Sequence, residues 1–463
     1  MSTDSIQSDV VVAGSGLAGL VSTVRALEVG ATVTLLEKGH RLGGTLPVTG
    51  GTFAVDNDAD PAIEAHEPIE DSLSWLEEIG IPVHEPQHQW LMKHIKRVGS
   101  IEPEEFITGM RAIIESKGGD IYLETPLEEI STNTAGEVDG VHAYNSESGR
   151  ITIETPSVIL ATGGIVGNEE LVERYFGNAD ILLTRQYWST GDGFLAAQKL
   201  GAKTTKGLTD PVGHSMPGRP AEIGYDDLRA AQMYETEGIA IDSTGKRFTN
   251  EAKYESGSVS FINDLIEKPD GDVFLIIDQE LYDTKTNQLS DAPTNGSRLE
   301  QARKLGAPVL EADSIEALGD KLSAVGVHGQ RAVETITEFN EAMRTDTADS
   351  LEPRRTNLLA PIDEPPFYAV GVRPGLVLVR GGLDIDERAR VLGRARSTST
   401  LDLEPTHEKE WMREPILGLY AAGVEVGRPS THSYYHLGYS LGLATGRIAG
   451  SAAAEYALQR RTD

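Results

Sequence analysis

The chain has 463 residues, with 72 Asp and Glu against 41 Lys and Arg, a formal net charge of −31 and no cysteine. Without a thiol there is no disulfide, zinc–thiolate site, iron–sulfur cluster, thioether-bound haem or cysteine nucleophile, and a chain this acidic would have to segregate its charges sharply to build the basic face that holds nucleic-acid phosphates, so no nucleic-acid partner is expected. The length suits two or three domains with sizeable cores, no apolar run reaches the roughly 18 residues of a membrane span, and the polar stretch from Met1 to Ser8 does not resemble a signal peptide, so a cytoplasmic location is expected.

Residues 8–14 run through Val10, Val11 and Val12 to Gly14 without polar alternation, which predicts a strand covered on both faces. A helix is expected from Gly16 to Val29 with Gly30 as its C-terminal cap, then a strand from Thr32 to Leu36 ending at Glu37. Strand, glycine turn, helix, strand and acid in this order open a dinucleotide-binding fold. Phe106, Met110, Ile113 and Ile114 place one apolar face on a helix over 104–117. Strand-like stretches at 121–124, 138–144 and 151–155 suggest a small antiparallel meander, and an apolar strand at 157–161 runs into Thr162, Gly163 and Gly164. A helix is expected between 185 and 202. Residues 205–235, with Pro211, Pro217 and Pro220, read as loop. Strand-like stretches (239–242, 273–277) and helical ones (315–325, 329–345) follow, strands return at 367–380 and 418–423, and a last helix is expected to start near Tyr439. This layout is an α/β protein in which a Rossmann-like dinucleotide-binding domain over 1–208 and 377–463 is interrupted by an inserted α+β domain over 209–376.

Gly14, Gly16 and Gly19 form the phosphate-binding turn: the first permits the tight turn, the second lets backbone approach a pyrophosphate, and the third lets strand and helix pack closely. Glu37 stands where an acid accepts hydrogen bonds from ribose hydroxyls, which allows NAD or FAD and disfavours NADP. His84 and His88 invite a metal, but Pro86 between them argues for a loop and no further ligand is near in sequence, so no metal is expected.

A second glycine-rich loop follows the acid, with Lys38, Gly43, Gly44, Thr45, Gly50 and Gly51, and resembles the flavoprotein version of this fold. The stretches through Thr162 and Gly163 and through Gly423 and Glu425 resemble the second and third flavoprotein signatures. Further blocks at 190–202 (with Asp192), 238–251, 366–368, 380–386 and 438–450 (with Ser440 and Leu441) complete the pattern. Together they resemble the fumarate reductase/succinate dehydrogenase flavoprotein superfamily, which includes the 3-ketosteroid dehydrogenases. The resemblance implies a glutathione-reductase-type FAD-binding domain with an inserted capping domain, a small-molecule substrate between cap and isoalloxazine, and hydride transfer between flavin N5 and a substrate carbon. It implies that the residues just named hold FAD. The loop from Gly43 to Gly50 lacks the histidine that carries covalent flavin in membrane-complex relatives, so FAD is expected to be non-covalent. No second dinucleotide turn or haem motif is apparent, so electrons are expected to pass to or from an external acceptor or donor.

Departures from the pattern bear on the substrate. Carboxylate-reducing members carry an arginine acid where this chain has Glu255, a histidine where it has Leu378, and a carboxylate-clamping arginine where it has His436, Leu437 and Gly438. His214 does sit where those members carry a cap histidine. The stretch from Ser433 to Gly438 resembles instead the 3-ketosteroid dehydrogenases, in which a tyrosine hydroxyl and a glycine N–H polarise a ketone; those roles fall to Tyr434 and Gly438. Tyr254 falls within one residue of the tyrosine those enzymes use as base, with Lys253 or Arg380 as a cation to assist it. Arg380, His432, Tyr435 and His436 are further substrate-binding candidates. The expected activity is desaturation of a steroid-like or other cyclic ketone, or reduction of the enone. The alternatives are a fumarate-reductase-like reductase of an unsaturated carboxylate using His214, Arg380 and His436, and a flavin-binding protein without catalysis.

Overall fold

The computed structural model describes residues 6–56, 69–85, 95–177, 181–183, 188–217, 238–252, 261–268, 273–283, 298–356, 359–394, 413–427 and 434–461, without the side chains of 48, 56, 95, 97, 394, 413 and 434–437. The chain divides into two compact units, one built from 1–168, 186–210 and 379–463, the other from 169–185 and 211–378.

The first unit is organised on a six-stranded sheet in the order Arg390–Arg394, Arg413–Ala421, Val158–Leu160, Val10–Ala13, Val33–Leu36, Asp120–Tyr122. All neighbours are parallel except the edge strand Arg390–Arg394. Val10–Ala13, Val33–Leu36 and Val158–Leu160 are buried along their whole length, as their apolar runs, interrupted only by Thr34, require. Helix Leu17–Val29 follows the first of these and ends at Gly30, whose φ of 102° lets its N–H return to the carbonyls of Ala26 and Leu27.

The helix from Tyr434 to Arg460 packs on Leu17–Val29. It starts five residues before the expected Tyr439. Gly442, Gly446 and Gly450 lie one turn apart on its contact face. A Cβ at these positions would stand 2.7 Å from Leu17 Cδ2, 2.9 Å from the Ala18 carbonyl and 2.6 Å from the Ser22 carbonyl, so only glycine allows this approach. Ser22 Oγ donates to the Gly446 carbonyl (3.1 Å) across the seam.

Beside the main sheet lies a four-stranded one, in the order Ile6–Gln7, Gly149–Glu154, Val138–Asn145, Leu127–Thr132. This is the expected meander with one member exchanged. The strand near 121 belongs to the parallel sheet, and Leu127–Thr132 takes its place. Register shifts on both sides of Glu129–Ser131 break the alternation there, leaving Leu127 and Ile130 as its buried residues, a spacing of three that hides a strand. The helix expected between 185 and 202 spans only Asp192–Lys199, because Gly191, at φ 77°, turns the chain just before it.

The second unit is built around the 13-residue strand Phe367–Val379. It pairs with Leu182–Leu183, Val273–Asp278, Pro211–Pro217 and Val309–Ala312, and Ile239–Ile241 extends the sheet. Successive residues serve opposite faces. Phe274 and Ile276 join Ile239, Ile241, Leu318, Leu322, Ile336 and Phe339 under helices Ile315–Ala324 and Gly329–Arg344. Val273, Leu275 and Ile277 pack with Phe261, Leu265, Leu299 and Val370 under helices Phe261–Ile266 and Arg298–Lys304. Each such side chain contributes roughly 1.5–3 kcal/mol by leaving water. Pro211–Pro217, read from sequence as loop because of its terminal prolines, is a fully buried strand of this sheet.

The second unit also buries a charged cluster. Glu251 Oε1 accepts the Ala240 N–H and Arg247 Nε–H, each at 2.9 Å; Oε2 accepts from Arg247 (2.6 Å) and Arg355 (3.2 Å). Both guanidinium groups lie over the Phe339 ring, at 5.4 and 5.7 Å. Arg247 also donates to the Pro353 carbonyl (2.6 Å) and Arg355 to that of Gly238 (3.0 Å).

Among the described residues no helix is long and apolar enough to cross a membrane.

Candidate functional site

The site is built in the first unit, where strand Val10–Ala13 ends. Gly14 has φ 97°, and a Cβ there would lie 2.3 Å from the Ala161 carbonyl oxygen; one on Gly19 would lie 1.8 Å from the Gly14 carbonyl. Gly16 is different: its Cβ would meet nothing within 4 Å. Helix Leu17–Val29 therefore opens with a bare backbone. No side chain caps it and its first turn contains no acid, so its leading N–H groups and the positive end of its dipole are offered to an external anion. The second glycine loop folds onto the first. Gly43 N–H donates to the Ser15 carbonyl (3.0 Å), and a Cβ on Gly44 would stand 3.2 Å from Gly16 Cα.

Glu37 is buried. Its Oε2 accepts the Ser15 N–H (2.9 Å) and the Ser15 hydroxyl, and its Oε1 accepts the Gly39 N–H (2.6 Å). The carboxylate is held rigidly and keeps lone-pair capacity for a further donor. Lys38 and Asp192 come together with each other: Lys38 Nζ lies 2.9 Å from Asp192 Oδ2 and 2.5 Å from Thr190 Oγ1.

The two later signatures meet at Glu425. Thr162 Oγ1 donates to Glu425 Oε2 (2.6 Å) and accepts the Gly193 N–H (3.1 Å). Glu425 is fully enclosed, and burial pushes its carboxyl up to about 8; the Thr162 hydroxyl and the nearby Thr162 and Phe194 backbone pull the other way, and Asp192 adds to the rise. Its Oε1 is buried with no hydrogen bond of its own. Gly423 N–H donates to Thr445 Oγ1 (2.9 Å), which ties this turn to the helix Tyr434–Arg460.

These features fit FAD. An uncapped helix start would answer the pyrophosphate, Glu37 would accept from a ribose hydroxyl, and the orphaned Glu425 oxygen has capacity for a hydroxyl such as those of the ribityl chain. Residues 9–81 and 87–441 match the family described as FAD binding domain. The chain belongs to this family.

The flavoprotein is 26% identical over 452 residues to a protein of Klebsiella pneumoniae (strain 342) named NADH:fumarate oxidoreductase, covering 90% of this chain and 44% of that one. It therefore spans less than half the length of that relative. It is 26% identical over 379 residues to 4-oxocyclohexanecarboxylate 2-dehydrogenase of Sinomonas cyclohexanicum, covering 73% of this chain and 59% of that one. Its fold matches the 3-ketosteroid-Δ4-(5α)-dehydrogenase of Rhodococcus jostii RHA1, solved with 4-androstene-3,17-dione, at a TM-score of 0.67 and 19% identity, with 98% of each chain covered.

The remaining candidates are dispersed. His214 is buried in strand Pro211–Pro217 of the second unit. Ser440 is engaged with the strand Thr52–Asp56, donating to the Ala54 carbonyl (2.6 Å) and accepting its N–H (3.1 Å). Leu441 is buried and its carbonyl accepts the Thr445 hydroxyl (2.5 Å). Tyr254 and His432 lie outside the described residues, as do the side chains of Tyr434, Tyr435 and His436, whose backbone opens the helix. Gly438 is the fifth residue of that helix, so the N–H groups without an intrahelical acceptor are those of 434–437. Ser15 and Thr190 were not singled out in sequence, although each sits inside a recognised glycine motif; a hydroxyl between glycines is a signal too weak to separate from turn chemistry.

Proposed function

We propose that the flavoprotein is an oxidoreductase acting on a carbon–carbon bond next to an activating carbonyl, either desaturating a cyclic ketone or reducing the enone. Bound FAD supplies a hydride acceptor or donor at N5. The chain's own part is to polarise the carbonyl and to manage the proton on the neighbouring carbon. Tyr434 donates a hydrogen bond to the ketone oxygen, assisted by a backbone N–H of the first turn of the helix Tyr434–Arg460; Gly438, the residue the family alignment points to, is the fifth residue of that helix and its N–H is taken up within it. Charge that develops on that oxygen as the α-proton leaves is stabilised by donors already in place. Tyr254 takes or returns the proton; a phenol with an ordinary pKa near 10 needs a cation beside it for this, and Lys253 adjoins it in sequence.

The observation that carries the reading is the exchange of residues at the substrate positions: tyrosines at 434 and 435, Glu255 in place of the arginine acid, Leu378 in place of the histidine, and His436, Leu437 and Gly438 in place of the clamping arginine. The Sinomonas relative's name, a 2-dehydrogenase of an oxo-substituted ring, supports it. A second reading, reduction of an unsaturated carboxylate, is favoured by the Klebsiella relative's name. Anaerobic mixing of the holoenzyme with saturated cyclic ketones, enones and unsaturated acids separates them. We expect bleaching by the ketones or reoxidation by the enones, and a drop of roughly 100-fold in that rate in Tyr434→Phe. Reoxidation by unsaturated acids alone, or full rates in both Tyr434→Phe and Tyr254→Phe, overturns the first reading.

A further inference from the structure

The segment Arg380–Leu383 is locked into the FAD-binding unit. Arg380 N–H donates to the Asp210 carbonyl (3.0 Å), Gly381 N–H to that of Gly207 (2.8 Å) and Leu383 N–H to that of Glu425 (2.9 Å). A Cβ on Gly382 would lie 2.5 Å from the Glu425 carbonyl oxygen and from the Gly427 nitrogen. The backbone bearing Arg380 is thus fixed against the backbone of the acid assigned to FAD. The arginine side chain is half-buried, its Nε is shut off from solvent without an acceptor, and among the described residues its guanidinium has no ion-pair or hydrogen-bond partner.

That is anomalous in a chain with 72 acids for 41 bases. Arg247, Arg355 and Arg390 each have a carboxylate within 3.2 Å. A partly desolvated guanidinium left unpaired costs free energy, so a counter-anion brought by a ligand fits the position. FAD's phosphates would be met by the bare helix start at Gly16, remote in sequence from this turn.

We propose that Arg380 is the receptor for a single carboxylate on the substrate. The proposal rests on the reading of this chain as a carbonyl-adjacent oxidoreductase and narrows it: the substrate is a cyclic ketone carrying one carboxylate away from the reacting carbons, neither a neutral steroid-like ketone nor a dicarboxylate. One planar guanidinium matches one carboxylate through two parallel N–H···O bonds, and lysine cannot reproduce that fork.

The test uses oxidised holoenzyme and two unreactive probes, cyclohexanecarboxylate and its amide, titrated while the flavin absorption spectrum is recorded. The expected result is a saturable spectral shift with the carboxylate and none with the amide, weakened roughly 10- to 100-fold in Arg380→Met and less in Arg380→Lys. In turnover, KM for a ring keto acid rises in Arg380→Met by more than kcat falls, and KM for the neutral methyl ester of the same acid rises less. Equal binding of carboxylate and amide by the unaltered protein overturns the proposal, and does so without any variant having to fold. Full carboxylate affinity in Arg380→Met overturns it as well. If the carboxylate binds through Arg380 but no ketone or enone exchanges electrons with the flavin, the anion site stands and the reaction reading fails.

Discussion

Two buried glutamates, one in each unit, are met in opposite ways. Glu251 receives four hydrogen bonds, three of them from arginines, so both of its oxygens are saturated by the chain. Glu425 is as deeply buried but receives one hydroxyl on one oxygen and leaves the other orphaned. A charge that the fold neutralises for itself belongs to the architecture. A carboxyl that it desolvates, holds largely protonated and leaves half-answered has capacity for a ligand group. The contrast separates the structural acid from the acid proposed for FAD on local chemistry alone.

The sharpest way to break the contrast is at Glu251. Glu251→Gln leaves two buried guanidinium groups sharing a neutral amide, and the expected loss of stability is about 3–5 kcal/mol, read as a lowered urea midpoint. A loss no larger than that of an average surface substitution would remove the architectural role. Glu425→Gln is expected to act on FAD more than on folding: affinity falls about tenfold, measured by flavin retention on dilution, with thermal stability of the FAD-stripped protein undiminished at pH 8.

The same residue gives the pH dependence. Burial lifts the folded-state pKa of Glu425 from 4.5 to about 8, so the FAD-stripped fold binds this proton more tightly than the unfolded chain does. Its contribution is fully present below about pH 4.5 and is lost as pH rises toward 8. Over that window the Tm of stripped protein should fall more steeply than that of Glu425→Gln, and parallel curves would refute the shift. The smallest effect is expected at Lys38. Its bond to Asp192 is partly exposed, so Lys38→Met should cost about 0.5 kcal/mol or less in thermal unfolding.

What was legible in the sequence tracks how local its cause is. Gly14 and Gly19 could be placed because the collisions that forbid a Cβ there come from a turn of six residues and the strand beside it. Val10–Ala13 and residues 273–277 could be placed because both faces are covered and every residue is apolar. Leu127–Thr132 could not, because its bulges move the buried residues out of alternation. Nor could the true start of the last helix: Tyr434–Arg460 has little one-sided apolar character, and its glycine face has meaning only against Leu17–Val29. Glu251 was visible as a family motif, but its role depends on Arg355, 104 positions further on. Arg380 was a candidate by position; only the structure shows that its guanidinium lacks a partner among the described residues.

The glycine seam has a consequence for the order of events during synthesis. Ser22 and Gly446, bonded across it, are separated by 424 positions. The helix Leu17–Val29 must keep its glycine-facing side open until residues 434–460 have been made, and closure over so long a loop is slow. Most of the second unit is one continuous stretch, 211–378, able to condense in the interval. The docking of these two helices from distant parts of the chain is then a late step. Larger residues at Gly446 or Gly450, which would collide with the Ala18 and Ser22 carbonyls, are expected to slow it.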